Sequence, residues 1–282
     1  MQQIDLVRMG LSVLAAVAPS MAGRVATDLF SRSRHTQKPV TAGAPLGAQV
    51  LPLRNGASVV KQAYVWGKGP TLLLVHGWGA DSSSMYSMAR PLAQQGFRVV
   101  AFDAPAHGAS PGKLTTMTEF VTAVGGVMDE LGPLHAVVSH SLGGLATVAA
   151  LSRDTRRQPR HLILLSVPTN LPELMEGFAA NHLRLKPAML PYMRSELLRR
   201  NGVPVEHWDI RTLGPVLRVP TLILHDLEDS MVSFRQAELI RDVFAGRSHV
   251  EPTRGLGHRN ILLDAEVRKK ILHFVGAAEA AA

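Results

Sequence analysis

The chain has 282 residues, enough to bury one large core or at most two modest domains. Hydrophobic residues make up 46% and charged residues 18%, which is typical of a soluble globular protein and argues against disorder. There is no cysteine, so disulfides, thiolate catalysis and cysteine-ligated metals are excluded. The formal net charge is +8, but only 5% of residues are aromatic and no basic run alternates with stacking residues. We therefore expect no nucleic-acid partner.

The first 20 residues predict one helix that ends at Pro19. Its apolar run after Met9 is too short to span a bilayer, which needs roughly 20 residues. Three interpretations stay open: a helix docked on the main domain, an interfacial helix resting on an anionic membrane, and a signal peptide. The signal peptide ranks last because Asp5 offsets Arg8. Cations downstream favour the membrane: Arg24, Arg32, Arg34 and Lys38, with only Asp28 against them.

Residues 37–47 hold two prolines and two glycines and predict a linker, so residues 1–47 form an N-terminal helix with a basic linker. A cysteine-free chain fits a reducing compartment. We therefore expect a cytoplasmic location, with a peripheral position on the inner membrane face if the helix binds lipid.

Strands and helices alternate from residue 48 onward. Two segments flanking Asn55-Gly56 predict an antiparallel pair, since this dipeptide favours a hairpin turn. The run at 71–76 is continuously apolar, as expected for a strand buried on both faces. The predicted strands cover residues 49–53, 59–66, 71–76, 98–102, 135–139, 161–166, 221–225 and 249–252. The predicted helices cover residues 83–95, 116–131, 141–153, 233–244 and 261–275.

This alternation predicts an α/β fold with a mostly parallel eight-stranded sheet and helices on both faces. It breaks at residues 167–217, where helical stretches at 173–185 and 188–200 are separated by prolines. We interpret 167–217 as a helical cap inserted into a core formed by 48–166 and 218–282.

The sharpest local feature is the segment Ser139-His140-Ser141-Leu142-Gly143-Gly144, between an apolar strand and a helix. A tight strand-to-helix turn of this kind lifts a nucleophilic serine above the sheet and needs small residues two before and two after it. Gly143 meets the second requirement, and Ser139 stands where glycine is usual. Ser141 is the predicted nucleophile.

A nucleophilic serine also needs backbone donors for the oxyanion and a base held by an acid. The N–H of Leu142 lies at a helix start, where donors lack partners within the helix. The loop His76-Gly77-Trp78-Gly79 follows a buried strand, and the N–H of Trp78 is the predicted second donor.

The base candidate is His258, which precedes the last helix. The acid is expected beyond the strand at 221–225, where three carboxylates occur. Asp229 is preferred, Asp226 is the runner-up and Glu228 comes third.

These ordered motifs resemble the α/β-hydrolase superfamily, in its cap-containing branch, over residues 48–275. The segment 102–110 is similar to the family loop written D-x-P-G-x-G-x-S, with Ala106 and His107 where that pattern is glycine-rich. The resemblance implies that Asp103 pins this loop and that nucleophile, acid and base follow in the order of Ser141, Asp229 and His258. It disfavours His107 as the base, since that residue precedes the nucleophile.

The resemblance implies acyl transfer without metal or organic cofactor. The expected substrate is a small or medium apolar carboxylic ester. A thioesterase, an acyltransferase, a lysophospholipase or a monoacylglycerol lipase are alternatives on the same residues. A ligand-binding protein on this fold is the non-enzymatic alternative. Residues that we expect near substrate are His76, His140, Met175, Phe178, Met189, Tyr192 and Trp208. For most of the apolar ones, packing within the cap itself is the simpler interpretation.

Overall fold

The structure is a computed structural model that describes residues 3–33, 44–45, 47–54, 59–244 and 246–276. The predicted turn at Asn55-Gly56 and most of the predicted linker lie outside the described residues.

One eight-stranded sheet organises the molecule, in the order β1-β2-β4-β3-β5-β6-β7-β8. β1 pairs with β2, and β2 with β4, in antiparallel fashion, while every other pairing is parallel. The mostly parallel α/β fold predicted from the sequence is confirmed. The strands are β1 (Gln49–Pro52), β2 (Gln62–Trp66), β3 (Thr71–Val75), β4 (Arg98–Phe102), β5 (Ala136–His140), β6 (His161–Leu165), β7 (Thr221–Asp226) and β8 (Ser248–Thr253).

Helices cover both faces of the sheet, which explains why its central strands are continuously apolar. Every residue of β5 and β7 is buried, whereas β1 and β8 at the edges are partly exposed. The helices within this core are α3 (Tyr86–Gln94), α4 (Met117–Leu131), α5 (Leu142–Arg153), α9 (Arg235–Val243), α10 (Gly257–Asn260) and α11 (Ala265–Val275). One apolar cluster contains residues of α4 and α5, and a second contains residues of α3 and α11.

The predicted N-terminal helix is present and ends before Pro19, but the second helix that follows it was not predicted. Two helices occur, α1 (Gln3–Val17) and α2 (Pro19–Ser31). Pro19 begins α2 because the first position of a helix needs no backbone donor, and the fixed φ of proline suits it. α2 packs against the segment inserted between β6 and β7 and buries Ala22 and Ala26 in the core.

That inserted segment holds helices at the two predicted stretches and a third, short one that the sequence does not predict. They are α6 (Leu171–Gly177), α7 (Leu190–Asn201) and α8 (Ile210–Leu213), with one π-helical turn at Phe178–His182 after α6. Within the described residues, no helix is both long enough and apolar enough to cross a membrane.

Candidate active site

Ser141 occupies a strained backbone position between β5 and α5. Its φ of 51° and ψ of −133° lie in a region that L-residues rarely adopt. Glycines make the turn sterically accessible. A Cβ at Gly143 would approach the carbonyl oxygen of His76 to 2.2 Å, and one at Gly144 would approach Val167 Cγ2 to 2.3 Å. The chain therefore passes close beside its neighbours here and presents Ser141 at the carboxyl edge of the sheet.

Ser139, which stands where glycine is usual, has a buried hydrogen-bond partner. Its hydroxyl lies 2.8 Å from Thr147 Oγ1. Because Thr147 donates its own proton to the carbonyl of Gly143 at 2.8 Å, the proton in the Ser139–Thr147 bond comes from Ser139. The partner follows eight residues later along the chain, on the first turns of α5, and the motif alone does not reveal it.

Ser141, His258 and Asp229 form a continuous chain of hydrogen bonds. His258 Nε2 lies 3.0 Å from Ser141 Oγ, and His258 Nδ1 lies 2.8 Å from Asp229 Oδ2. With the carboxylate accepting the proton on Nδ1, Nε2 of the neutral ring is left to accept the serine proton. Such an arrangement can activate a hydroxyl as a nucleophile.

The carboxylate of Asp229 is buried and held on both oxygens. Oδ1 accepts the backbone N–H groups of Met231 at 2.8 Å and Val232 at 2.9 Å. Oδ2 faces His258 and also His225, whose Nε2 lies 3.5 Å away. Burial alone would raise the pKa of Asp229, but hydrogen bonds from His225 and His258 outweigh it and lower this pKa well below its ordinary value. Asp229 therefore stays ionised beside the imidazole.

Asp226, the runner-up acid, has other partners. Its Oδ2 accepts from the Thr253 hydroxyl at 2.7 Å and from the Leu256 N–H at 3.0 Å. These bonds tie the end of β7 to the loop that carries His258. Glu228 is exposed to solvent.

His140 fixes the loop of His258 from the other side. Its Nε2 lies 2.8 Å from the His258 backbone carbonyl, which can only accept, so His140 carries its proton on Nε2. The two imidazole rings lie 4.8 Å apart. Desolvation and the neighbouring His258 lower the pKa of His140 to about 3, so it is neutral at physiological pH. The sequence predicts His140 near substrate and does not identify its bond to His258.

The loop after β3 lies directly beside Ser141. A Cβ at Gly77 would come within 2.9 Å of Ser141 Cβ and 3.1 Å of His140 Nδ1, so only glycine fits. Trp78 follows in this loop, and Leu142 begins α5, where its N–H is among those without a partner inside the helix. The oxyanion role of these two N–H groups stays a prediction.

Two buried histidines tie this loop to the segment 103–110. His76 Nε2 accepts the N–H of Ala104 at 3.0 Å, and His107 Nε2 accepts the N–H of Gly79 at 3.0 Å. Both imidazoles are therefore acceptors at Nε2 and fixed in one tautomer. Asp103, buried below them, accepts the N–H groups of Ser82 at 2.7 Å and Ala109 at 2.9 Å. Ala106 adopts a φ of 64°, which suits the glycine that the family pattern has there.

An aromatic cluster joins α2 and the inserted segment to the Trp78 loop. The ring of Phe30 stacks on Trp78 with centroids 6.2 Å apart and meets Phe178 edge-on at 5.4 Å. Trp78 Nε1 donates to the Phe30 carbonyl at 3.0 Å. α2 thus reaches the loop next to Ser141, a contact that the sequence did not indicate.

The other predicted pocket residues lie in the apolar core or beside α2. Met175, Met189 and Trp208 are buried in the core, and Trp208 stacks under the guanidinium of Arg153 at 5.4 Å. Tyr192 is 37% exposed and packs against α2 at Gly23. Their contact with substrate stays a prediction. Across the described ranges, no three His, Asp or Glu side chains gather in a way that could hold a metal ion.

The fold and the site define an α/β protein whose polar side chains meet at the carboxyl ends of parallel strands. The chain belongs to the alpha/beta hydrolase family, whose model matches residues 72–268. Resemblance to this superfamily, predicted from the sequence, is thereby confirmed, and the protein is a hydrolase of this family.

Curated relatives match only part of the chain. It is 36% identical over 110 residues to the dihydrolipoyllysine-residue acetyltransferase component of the acetoin cleaving system of Cupriavidus necator, covering 38% of this chain and 29% of that protein. It is 32% identical over 108 residues to the pimeloyl-[acyl-carrier protein] methyl ester esterase of Nitrosospira multiformis, covering 36% of this chain and 41% of that protein. The match thus spans less than half the length of each relative.

Solved structures match over most of the chain. An esterase from Exiguobacterium antarcticum aligns with a TM-score of 0.60 and 20% identity, covering 80% of this chain and 99% of that one. A thermophilic esterase from Thermogutta terrifontis aligns with a TM-score of 0.58 and 20% identity, covering 81% of this chain and 98% of that one. At this identity the likeness establishes the fold alone.

Proposed function

We propose that this protein is a serine hydrolase that cleaves carboxylic esters of small to medium apolar substrates through an acyl-enzyme. The observation that carries the proposal is the hydrogen-bonded chain from Ser141 through His258 to the buried, ionised Asp229. A serine on a positive-φ turn, beside a base that an acid orients, has the geometry needed for acyl transfer.

In the proposed reaction, Ser141 Oγ attacks the ester carbonyl while His258 Nε2 takes its proton. The N–H groups of Trp78 and Leu142 donate to the oxyanion, each worth about 3 kcal/mol at the transition state. The intermediate collapses, the bond to the alcohol breaks, and His258 returns its proton to the leaving alkoxide. Water then attacks the acyl-serine while His258 takes its proton. The bond between the acyl carbon and Ser141 Oγ breaks, His258 returns the proton to Ser141, and the acid leaves. Asp229 holds the tautomer and stabilises the imidazolium throughout.

The proposed substrate class rests on the apolar rings that adjoin the loop of Trp78. Phe30 stacks on Trp78 of that loop, and Phe178 of the inserted segment contacts Phe30. We propose that residues 167–217 act as a cap over the reacting ester and that apolar acyl or alcohol groups contact these rings. A methyl ester esterase among the partial matches is compatible with this class.

Transfer to an acceptor other than water is the second candidate, because an acetyltransferase component shares 36% identity over 110 residues. The first steps are the same in both reactions. The two reactions differ in the acceptor of the acyl group, which is water in hydrolysis and an alcohol, amine or thiol in transfer.

The test is hydrolysis of p-nitrophenyl butyrate, with acyl-CoA and added acceptors in parallel. We expect ester turnover by the wild type and loss of at least about 10⁴-fold in Ser141→Ala. Ser87→Ala is the matched control, because its hydroxyl donates to Leu262 O at 2.6 Å, among the residues of the opposite apolar cluster. A folded wild type that turns over none of these esters, or an active Ser141→Ala, would refute the proposal.

A further inference from the structure

The solvent-facing side of the N-terminal helices carries an apolar stripe. Positions spaced by three or four residues lie on one face of a helix, so Leu6, Met9, Val13 and Val17 share one face of α1. Members of the stripe continue onto the first turn of α2, and each is at least half exposed: Leu6 50%, Met9 56%, Val13 62%, Val17 76% and Met21 58%. We call these five residues the N-terminal stripe.

The stripe is held outward because the opposite face of α1 is anchored. Leu11 is buried in the core at 3% exposure, and Leu14 and Ala15 pack against the same cluster. Arg8 Nε donates to the carbonyl of His182 in the inserted segment at 2.9 Å. Burying the stripe by rotating α1 would expose Leu11 and break the bond of Arg8. The stripe is therefore available to an external partner without rearrangement of α1.

The charge balance of the N-terminal segment favours an anionic partner. Residues 1–38 contain five Lys or Arg against two Asp. Both acids already face cations, since Asp5 lies 3.4 Å from Arg8 and Asp28 lies 2.6 Å from Arg200. Arg24, one turn after Met21, lies 3.9 Å from the Glu196 carboxylate and keeps 64% of its side chain exposed. An anionic surface at the stripe would thus meet Arg24 and no unpaired carboxylate of these helices.

We propose that the N-terminal stripe docks on an anionic lipid surface, with α1 lying in the interface. A 15-residue helix is too short to span the bilayer but can lie in its headgroup region and bury an apolar face. The exposed cation then adds attraction to anionic headgroups.

A second copy of the chain fits the stripe less well. A two-fold interface would bring the same patch of both copies together, including Arg24 of each, and like charges at an interface oppose association. The whole chain also carries a net charge of +8, which adds to the repulsion.

The experiment is flotation of the full chain with vesicles of equal parts phosphatidylglycerol and phosphatidylcholine, and with vesicles of phosphatidylcholine alone. We expect binding to the anionic vesicles that weakens as salt is raised. Val13→Asp should weaken binding to the anionic vesicles at least about tenfold, because docking would then bury a charged carboxylate in place of an isopropyl group. Arg24→Gln should weaken it several-fold, through the loss of one cation near anionic headgroups.

Leu263→Asp is the matched control, since Leu263 is 60% exposed and adjoins Ile261 and Leu262 of the cluster on the other side of the sheet. Its binding should equal that of the wild type. Val17→Asp substitutes for Val13→Asp if the latter fails to unfold cooperatively on heating. Wild type that stays with the lipid-free fraction, equal binding by Val13→Asp, or a dimer in sedimentation that Val13→Asp dissociates would overturn the proposal. The readout is lipid binding and does not depend on ester hydrolysis.

Discussion

Different forces fix two regions of the molecule. One is the set of loops at the carboxyl ends of β3, β5 and β7, and the other is the segment inserted between β6 and β7. In the loops, close backbone approach at Gly77 and Gly143 and hydrogen bonds to the buried Asp229 determine where each side chain lies. In the inserted segment, apolar side chains such as Met175 and Trp208 pack on one another and on α5. Backbone constraints and polar partners demand particular residues, whereas apolar packing accepts many alternatives of similar volume.

This contrast makes different kinds of substitution costly in the two regions. A polar change in the loops should alter chemistry more than stability. A truncation in the inserted segment should alter stability more than chemistry. The following predictions test that division, in order of decreasing expected effect.

The first prediction separates the two aspartates beyond β7. Asp229→Asn should lower kcat by about 10⁴-fold, because an amide cannot hold the His258 tautomer as a carboxylate does. Asp226→Asn should leave kcat within tenfold and lower the free energy of unfolding by about 1–3 kcal/mol, because its bonds are to Thr253 and Leu256. Turnover of p-nitrophenyl butyrate and urea unfolding measure the two effects. The reverse ranking would make Asp226 the acid.

The second prediction concerns Trp208, which is fully buried, and Tyr192, which is 37% exposed. Trp208→Ala should lower the free energy of unfolding by about 3–5 kcal/mol, since it leaves a large cavity. Tyr192→Ala should lower it by at most about 1 kcal/mol. Chemical denaturation gives both values. If Trp208→Ala instead raised KM with unchanged stability, Trp208 would be a substrate contact, and the division between the two regions would fail.

The third prediction uses the buried His140. Its pKa falls from 6.5 to about 3 on folding, so between these values the unfolded chain binds the extra proton and stability rises with pH. As pH falls from 7 to 5, this group should lower the free energy of unfolding by about 2 kcal/mol. Asp229 contributes nothing in this window, because its lowered pKa matters only below its ordinary value near 3.8.

His140→Gln removes the titrating ring, and its amide can still donate to the His258 carbonyl. The variant should therefore show a flatter stability profile between pH 7 and pH 5 than the wild type, measured by urea unfolding at several pH values. Identical profiles would mean that His140 is not neutral and buried as described.

The fourth prediction tests how Ser139 is tolerated. Thr147→Val leaves the buried Ser139 hydroxyl without its acceptor and should cost about 1–2 kcal/mol of stability. Adding Ser139→Gly to that variant should recover part of the loss. A double-mutant cycle over the two positions measures the coupling, and strictly additive effects would contradict the hydrogen bond between them.

Much of the fold follows from the sequence because its signals are local. The apolar runs of β3, β5 and β7 and the motif around Ser141 predict buried strands ending in polar loops, as observed. The sequence predicts the helix end at Pro19 but not the helix that begins there, although proline suits the first position of a helix. The site contacts that the sequence missed are tertiary: Thr147 beneath Ser139, His140 on the His258 carbonyl, and Phe30 on Trp78. None of these pairs has a fixed spacing that a motif encodes.

The most direct test of the central claim is labelling of the folded full chain with a fluorophosphonate, followed by peptide mass spectrometry. The account predicts one covalent adduct on Ser141, absent in Ser141→Ala and formed far more slowly in His258→Ala. A chain that unfolds cooperatively on heating yet takes no label, or takes it on a residue other than Ser141, would contradict the account.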